Sequence, residues 1–370
     1  MPTKHKERFN FGGGIMQLAK SANITAQACP VALTCEYQVN PLGIDTVAPR
    51  LSWRMESSAR GARQTAYQVL VASSEQALAA DQGDLWDSGR VESDQSVQIA
   101  YFGKALTSRM QCYWKVRVWD TDGNANAFSA PAFWEMGLLT ETDWQAQWIG
   151  KTLGRPATMA PAVPAPYFRK EIAVPRQPVA ARAYVSGLGY FELSVNGKKV
   201  GDHVLDPIFT SYDKRALYVT HDLTPYITQG DNAIGIVLGN GWYNSHTHDV
   251  WHFETAPWRD CPKVIAQIYL DYADGTSEII VTDSSWQVST GPIVFDGVRN
   301  GETYDARLEQ PGWDTPHFDA QDWENACIIC SPGGTLVAQQ QPPTKVMQTI
   351  TPVSVTEVKP GVFLFDMGQN

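Results

Sequence analysis

The sequence lacks any run of 18 or more apolar residues, so it offers no candidate transmembrane helix. It is short of positive charge. Against 39 Asp and Glu stand 29 Lys and Arg, a net charge of −10. That balance excludes a nucleic-acid partner, whose phosphates require a basic face, and argues against an anionic membrane surface. Cysteine is also sparse, at positions 29, 35, 112, 261, 327 and 330. Cys327-Ile-Ile-Cys330 has CxxC spacing, but no second CxxC and no nearby His completes a zinc site. A strand would also turn its two thiols to opposite faces. Structural thiols are expected, with a Cys29–Cys35 bridge if the protein is exported.

What is abundant points elsewhere. The chain holds 29 Gly, 23 Pro, 13 Trp, 14 Tyr and 13 Phe, with only 18% charged residues. Aromatics favour strands, and Gly and Pro favour turns. A 370-residue chain of this kind predicts two or three all-β domains. Residues 1–28 are excluded from the fold as a disordered tail or a signal remnant. Ala26-Gln27-Ala28 before Cys29 has the small-x-small form of a signal-peptidase site, but Gly12-Gly13-Gly14 interrupts the apolar region such a signal needs. Localisation therefore stays open between periplasmic or extracellular and cytoplasmic.

Residues 29–139 read as six or seven short strands. The stretch 66–72 (AYQVLVA) alternates, and 112–119 (CYWKVRVW) sets Cys112, Trp114, Val116 and Val118 on one face. That length with a buried Trp suits an immunoglobulin or fibronectin type III sandwich. Residues 152–166 are rich in Ala and Pro and read as a linker or surface loop. Strands resume through 140–335. Tyr190 to Val195 ends in Asn196-Gly197, the strongest short hairpin signal, and Asp274-Gly275 marks another hairpin. Wide polar loops between such strands predict a jelly-roll, galactose-binding-like sandwich. Residues 336–370 open a third β-sandwich that stops inside a strand pattern, as in a truncated chain. Gly187-Leu188-Gly189 resembles the start of a nucleotide fingerprint. Glu192 replaces its third glycine and no helix follows, so that reading fails.

Several segments together resemble the bacterial α-L-rhamnosidases of glycoside hydrolase family 78. They are 188–201 (LGYFELSVNGKKVG), 211–215 (SYDKR), 239–243 (GNGWY) and 301–307 (GETYDAR). Residues 36–43 and 49–53 are similar to that family's leading fibronectin-like domain, Trp148-Ile149-Gly150 to the lead-in of its next sandwich, and 365–370 to the opening of a concanavalin-like domain. The resemblance spans 33–370. It implies a multidomain enzyme that removes terminal α-L-rhamnose with inversion, using two glutamates of an (α/α) toroid C-terminal to everything here. No catalytic residue is carried over, no part of the sequence resembles the toroid, and this chain alone is expected to be inactive. Two positions depart from the family pattern. Phe209 stands where a Trp is frequent, and Arg299 where a Tyr is frequent.

Candidate residues follow. Trp242 and Tyr243 offer apolar faces to a sugar, with Asn240 as hydrogen-bond partner and Tyr212 and Asp213 in the neighbouring motif; a buried Trp beside a glycine-driven bulge is the structural alternative. Glu302, Tyr304, Asp305 and Arg307 lie too close together in sequence to flank a glycosidic bond, and an Arg–carboxylate latch or domain interface is the preferred reading. His246, His248, Asp249 and His252 form the sole histidine cluster, with zinc chemistry in principle. Calcium on Asp206, Asp213 and Asp249 is a further option, no ligand set being selected; otherwise no cofactor is expected. The expected partners are rhamnose-containing glycans or plant glycosides, and the C-terminal catalytic domain. A stand-alone lectin-like module and a protein-binding adhesion module are the alternatives.

Overall fold

Alternation of the kind seen at 112–119 buries one side of a strand, and two such faces must meet to exclude water. A computed structural model describes residues 28–151, 164–248 and 250–369 and shows this twice. In the first sandwich, Cys29–Cys35, Arg50–Glu56 and Ile99–Ala100 form one sheet. Trp86–Asp87, Ala66–Ala72, Gln111–Trp119 and Ala132–Glu135 form the other. Cys112, Trp114, Val116 and Val118 point inward, as their alternation requires, and pack with Leu51, Trp53, Val69 and Trp134. The immunoglobulin-like expectation holds. The anticipated disulfide does not form. None of the six thiols is in a disulfide, and Cys29 and Cys35 close opposite ends of one seven-residue strand. At about 3.3 Å per residue their Cα atoms lie roughly 20 Å apart, far beyond disulfide reach.

The second sandwich is larger. One sheet runs in the order Cys327–Ile328, Ile149–Gly150, Lys263–Asp271, Ala180–Leu188, Arg215–Asp222 and Thr335–Ala338, with Ser277–Val281 also pairing with Lys263–Asp271. The facing sheet runs Lys198–Lys199, Tyr190–Val195, Gly230–Gly239, Pro166–Val174, Gln287–Thr290 and Glu324–Asn325. Phe168, Leu193, Ile234, Ile236, Val185, Ile268 and Trp286 fill the space between. Each large side chain buried there contributes about 1.5–3 kcal/mol against the entropy of ordering it. Asn196 and Gly197 both take positive φ, 53° and 77°, the hairpin turn their sequence predicts. The expected break at 335/336 falls inside a strand: Thr335–Ala338 pairs in parallel with Arg215 to Tyr218, so the second sandwich continues past residue 335. Beyond it, Ser354–Lys359 and Val362–Asp366 form a separate hairpin. Among the described residues the single α-helix is Glu75–Ala79, capped by Ser74, whose hydroxyl accepts from the Ala77 N–H. No helical toroid occurs among them, and no helix is long and apolar enough to cross a membrane.

The two sandwiches meet along a polar seam. Arg182 Nε donates to both oxygens of the buried Glu135 at 3.1 Å. One nitrogen of Arg109 reaches both oxygens of Asp271, at 2.6 and 2.7 Å, while its guanidinium lies 3.7 Å from the Tyr269 ring centre. Asp45 and Thr46 of the first sandwich bind Ala338 N–H and the Gln340 amide of the second. Gly137 permits the close approach, since a Cβ there would lie 2.1 Å from the Tyr218 hydroxyl.

Candidate functional site

The Gly230–Gly239 strand ends in the 239–243 motif, and the chain must turn immediately above the neighbouring strand end. It does so over Gly189, where a Cβ would meet the Asn240 carbonyl oxygen at 2.1 Å. This contact, not nucleotide binding, accounts for the second glycine of the 187–189 pair. Directly after the turn Asn240 is buried, and both its N–H (2.7 Å) and its side-chain amide (2.9 Å) donate to the carboxylate of Asp296.

Asp296 belongs to the hairpin of Ile293–Gly297 with Gly301–Tyr304, which stands off the sandwich as a two-stranded flap. Between flap and sheet lies a cleft of about 520 Å³. Tyr167, Phe191 and Leu238 give it an apolar wall, and Tyr190, Glu192, Asp296 and Glu302 supply its polar groups. Burial raises the Asp296 carboxyl, opposed by donation from Asn240 and reinforced by the negative charge of Glu302. Burial likewise raises the Tyr190 phenol, against a hydrogen bond from Trp242. Glu192 is tied to Lys199 at 2.5 Å. A concave surface with an aromatic face and several oriented acceptors can hold a polyhydroxylated ligand, apolar ring face on the aromatic and hydroxyls on the carboxylates.

The candidate residues are distributed differently from their sequence grouping. Glu302 lines the cleft. Asn240 and Trp242 do not line it but brace it from behind, through Asp296 and Tyr190 respectively. Tyr212 and Tyr243 are corrections to any ligand-stacking role: both are fully buried, edge-on to each other at 5.1 Å, with Trp258 against both rings. Their apolar faces are consumed by packing. Asp213 is exposed in the turn that leads into Arg215–Asp222 and does not belong to the cleft lining. Tyr304 is half-exposed and donates to Glu309, while Arg307 pairs with Asp305 two residues before it, at 2.5 and 2.8 Å. That pair fixes only a local turn. The two departures from the family pattern prove to be neighbours. Phe209 lies 6.1 Å, and Arg299 5.6 Å, from the Trp242 ring.

Sequence reasoning missed Asp296 and Glu192. Each is an isolated acid within an ordinary strand pattern; the flap hairpin sets Asp296 opposite Glu302, and only the approach of a distant segment brings Glu192 to the same cleft. Of the metal candidates, Asp249 lies outside the described residues. Asp206 is buried and bonded to His203 at 2.7 Å, and is not grouped with Asp213. His246 is half-buried, with its basicity lowered by burial and by Arg259.

Two family profiles match the chain. One is described as the alpha-L-rhamnosidase N-terminal domain, over residues 176–348, and the other as the Rha78A-like N-terminal immunoglobulin domain, over residues 30–140. An alpha-L-rhamnosidase of Formosa agariphila is 38% identical over 352 residues, covering 90% of this chain and 37% of that protein. One of Alteromonas sp. is 35% identical, covering 90% of this chain and 36% of that protein. The solved alpha-L-rhamnosidase from Dictyoglumus thermophilum superposes with a TM-score of 0.83 at 39% identity, covering 95% of this chain and 39% of that one. The enzyme from Streptomyces avermitilis, solved with L-rhamnose, gives 0.80 at 27% identity, covering 93% and 49%. The chain thus spans rather more than a third of the length of the curated relatives it matches.

Proposed function

Because this chain belongs to the α-L-rhamnosidase family, of which it carries the N-terminal β domains, we propose that it serves as the accessory region of an enzyme hydrolysing terminal α-L-rhamnose from glycosides. Its two sandwiches would brace the helical catalytic domain, and the cleft under the 293–304 flap would hold part of a rhamnosylated glycan. The observation that carries the sugar-binding half is the convergence of Tyr190, Asp296 and Glu302 on one concave surface. The position of Trp242 behind Tyr190 gives the 239–243 motif a positioning role in the same site. Hydrolysis itself belongs to carboxylates outside this sequence, so the chain by itself should release no rhamnose from an aryl rhamnoside.

The test is titration of the chain with L-rhamnose and, separately, with a rhamnosylated flavonoid, followed by NMR or calorimetry. Binding is expected at roughly millimolar strength for the monosaccharide, about −4 kcal/mol. Tyr190→Ala should abolish it, and Trp242→Ala should weaken it several-fold. Binding indifferent to Tyr190→Ala and Glu302→Gln would remove the ligand from this cleft. Insensitivity to every sugar would favour a protein-binding surface.

A further inference from the structure

The loop that follows the 239–243 motif carries a second, separate constellation. His248, His252 and Glu254 each offer one ligand atom, and the three atoms lie within 4.8 Å of one another. This is the single such grouping of His, Cys, Asp or Glu among the described residues. Nδ1 of His248 is 2.5 Å, and Nδ1 of His252 3.5 Å, from the same oxygen of Glu254. The two imidazoles stand at the surface, 80% and 62% exposed, whereas the Glu254 side chain is 7% exposed. Its other oxygen, Oε2, is buried and has no hydrogen-bond partner. A buried carboxylate oxygen without a donor is costly unless a cation or donor completes it.

We propose that His248, His252 and Glu254 form a binding site for a divalent transition-metal ion of the zinc class, with water in the remaining position. Two imidazoles and one carboxylate make the mixed nitrogen and oxygen donor set that suits zinc, whereas calcium takes six to eight oxygens. Bonds of about 2.0–2.2 Å in tetrahedral geometry separate ligand atoms by roughly 3.3–3.5 Å. His252 and Glu254 already stand at that separation. His248 must retreat by somewhat less than 1 Å from its direct hydrogen bond, a small rotation for an exposed ring. The loop also carries Phe253, whose ring centre lies 5.6 Å from Trp242, so a metal clip here would hold the aromatic support of the cleft in place. The site does not depend on the sugar reading.

The decisive experiment is titration of the EDTA-treated chain with Zn2+ by calorimetry and with Co2+ by visible absorption. One ion per chain is expected, with the d–d bands of four-coordinate Co2+. His248→Ala and His252→Ala, both at exposed side chains and therefore compatible with folding, should each weaken binding at least about ten-fold. Glu254→Gln should do the same, while His246→Ala should leave the affinity unchanged. The chain has seven His, so affinity must be mapped to these positions. Absence of binding, or affinity unaltered in both His248→Ala and His252→Ala, would overturn the proposal.

Discussion

The seam between the sandwiches and the loop end of the second sandwich are both rich in buried polar groups, yet they differ in which ones they leave unpartnered. At the seam the buried carboxylate of Glu135 meets Arg182, and Gln267 accepts from two backbone N–H groups while its amide donates to Asp143 O. Orphans there are a single N–H of Arg109 and the neutral hydroxyls of Tyr184 and Thr220. At the loop end Glu254 Oε2, His246 Nε2 and Asn244 Oδ1 are all buried without a partner. Buried polar groups that satisfy one another fix geometry; those left open are the ones a ligand can complete. The contrast sets paired charges and neutral orphans at the seam against an unpartnered carboxylate oxygen at the loop end.

That contrast can be broken from either side. The largest effect is expected from Arg182→Ala, which takes away the cation paired with Glu135, whose carboxyl is already raised by burial, and leaves the Gln111 amide as its side-chain donor. Removing one partner of a buried pair costs about 3–5 kcal/mol. Calorimetry should show a lowered midpoint, or two transitions where the parent has one. A comparable parent and variant would mean that the seam does not couple the sandwiches.

Next in size is a pH effect at His221. Burial lowers its pKa to about 4, against the attraction of Asp206. The folded value is below the unfolded one, so the unfolded chain takes up the proton first. Stability from this group is complete above pH 6.5 and is lost as pH falls toward 4. The loss approaches about 3 kcal/mol for a shift of this size. Urea denaturation of His221→Phe should show a flatter dependence over that window; an unchanged slope would assign the pH response elsewhere. Smallest of all is Arg307→Ala. Its side chain is 88% exposed and bonds only its own turn, so the thermal midpoint and the sugar affinity should both stay where they are. A clear fall in either would restore the latch reading.

The sequence made the strands legible wherever one face alternated or a turn carried Asn-Gly or Asp-Gly, as at Gln111–Trp119 and Asn196-Gly197. It was silent where elements are short and half-polar. Gln287–Thr290, Ile293–Gly297 and Thr335–Ala338 have too few residues for a period to emerge, and their places come from partners far away in the chain. The helix Glu75–Ala79 is a single capped turn, too brief to announce itself. The same limit governed the site. The 239–243 and 301–307 motifs adjoin the cleft under the flap, but Asp296 and Glu192 enter through sheet pairing, and the burial of Tyr212 and Tyr243 is a property of packing. Histidine clustering identified the loop at 246–252, while Glu254 escaped because a lone glutamate beside Phe253 reads as ordinary loop polarity.

The parallel pairing of Arg215 with Thr335 and Tyr218 with Ala338 joins positions 120 residues apart. During synthesis the Arg215–Asp222 strand therefore emerges long before the strand that covers its outer edge. At about 5–20 residues per second that edge waits on the order of ten seconds, a nascent surface able to pair with the wrong neighbour. Crowded polysomes and strong overexpression would be expected to multiply the wrong neighbours, and weaker induction, with fewer nascent chains side by side, should raise the soluble yield of this chain.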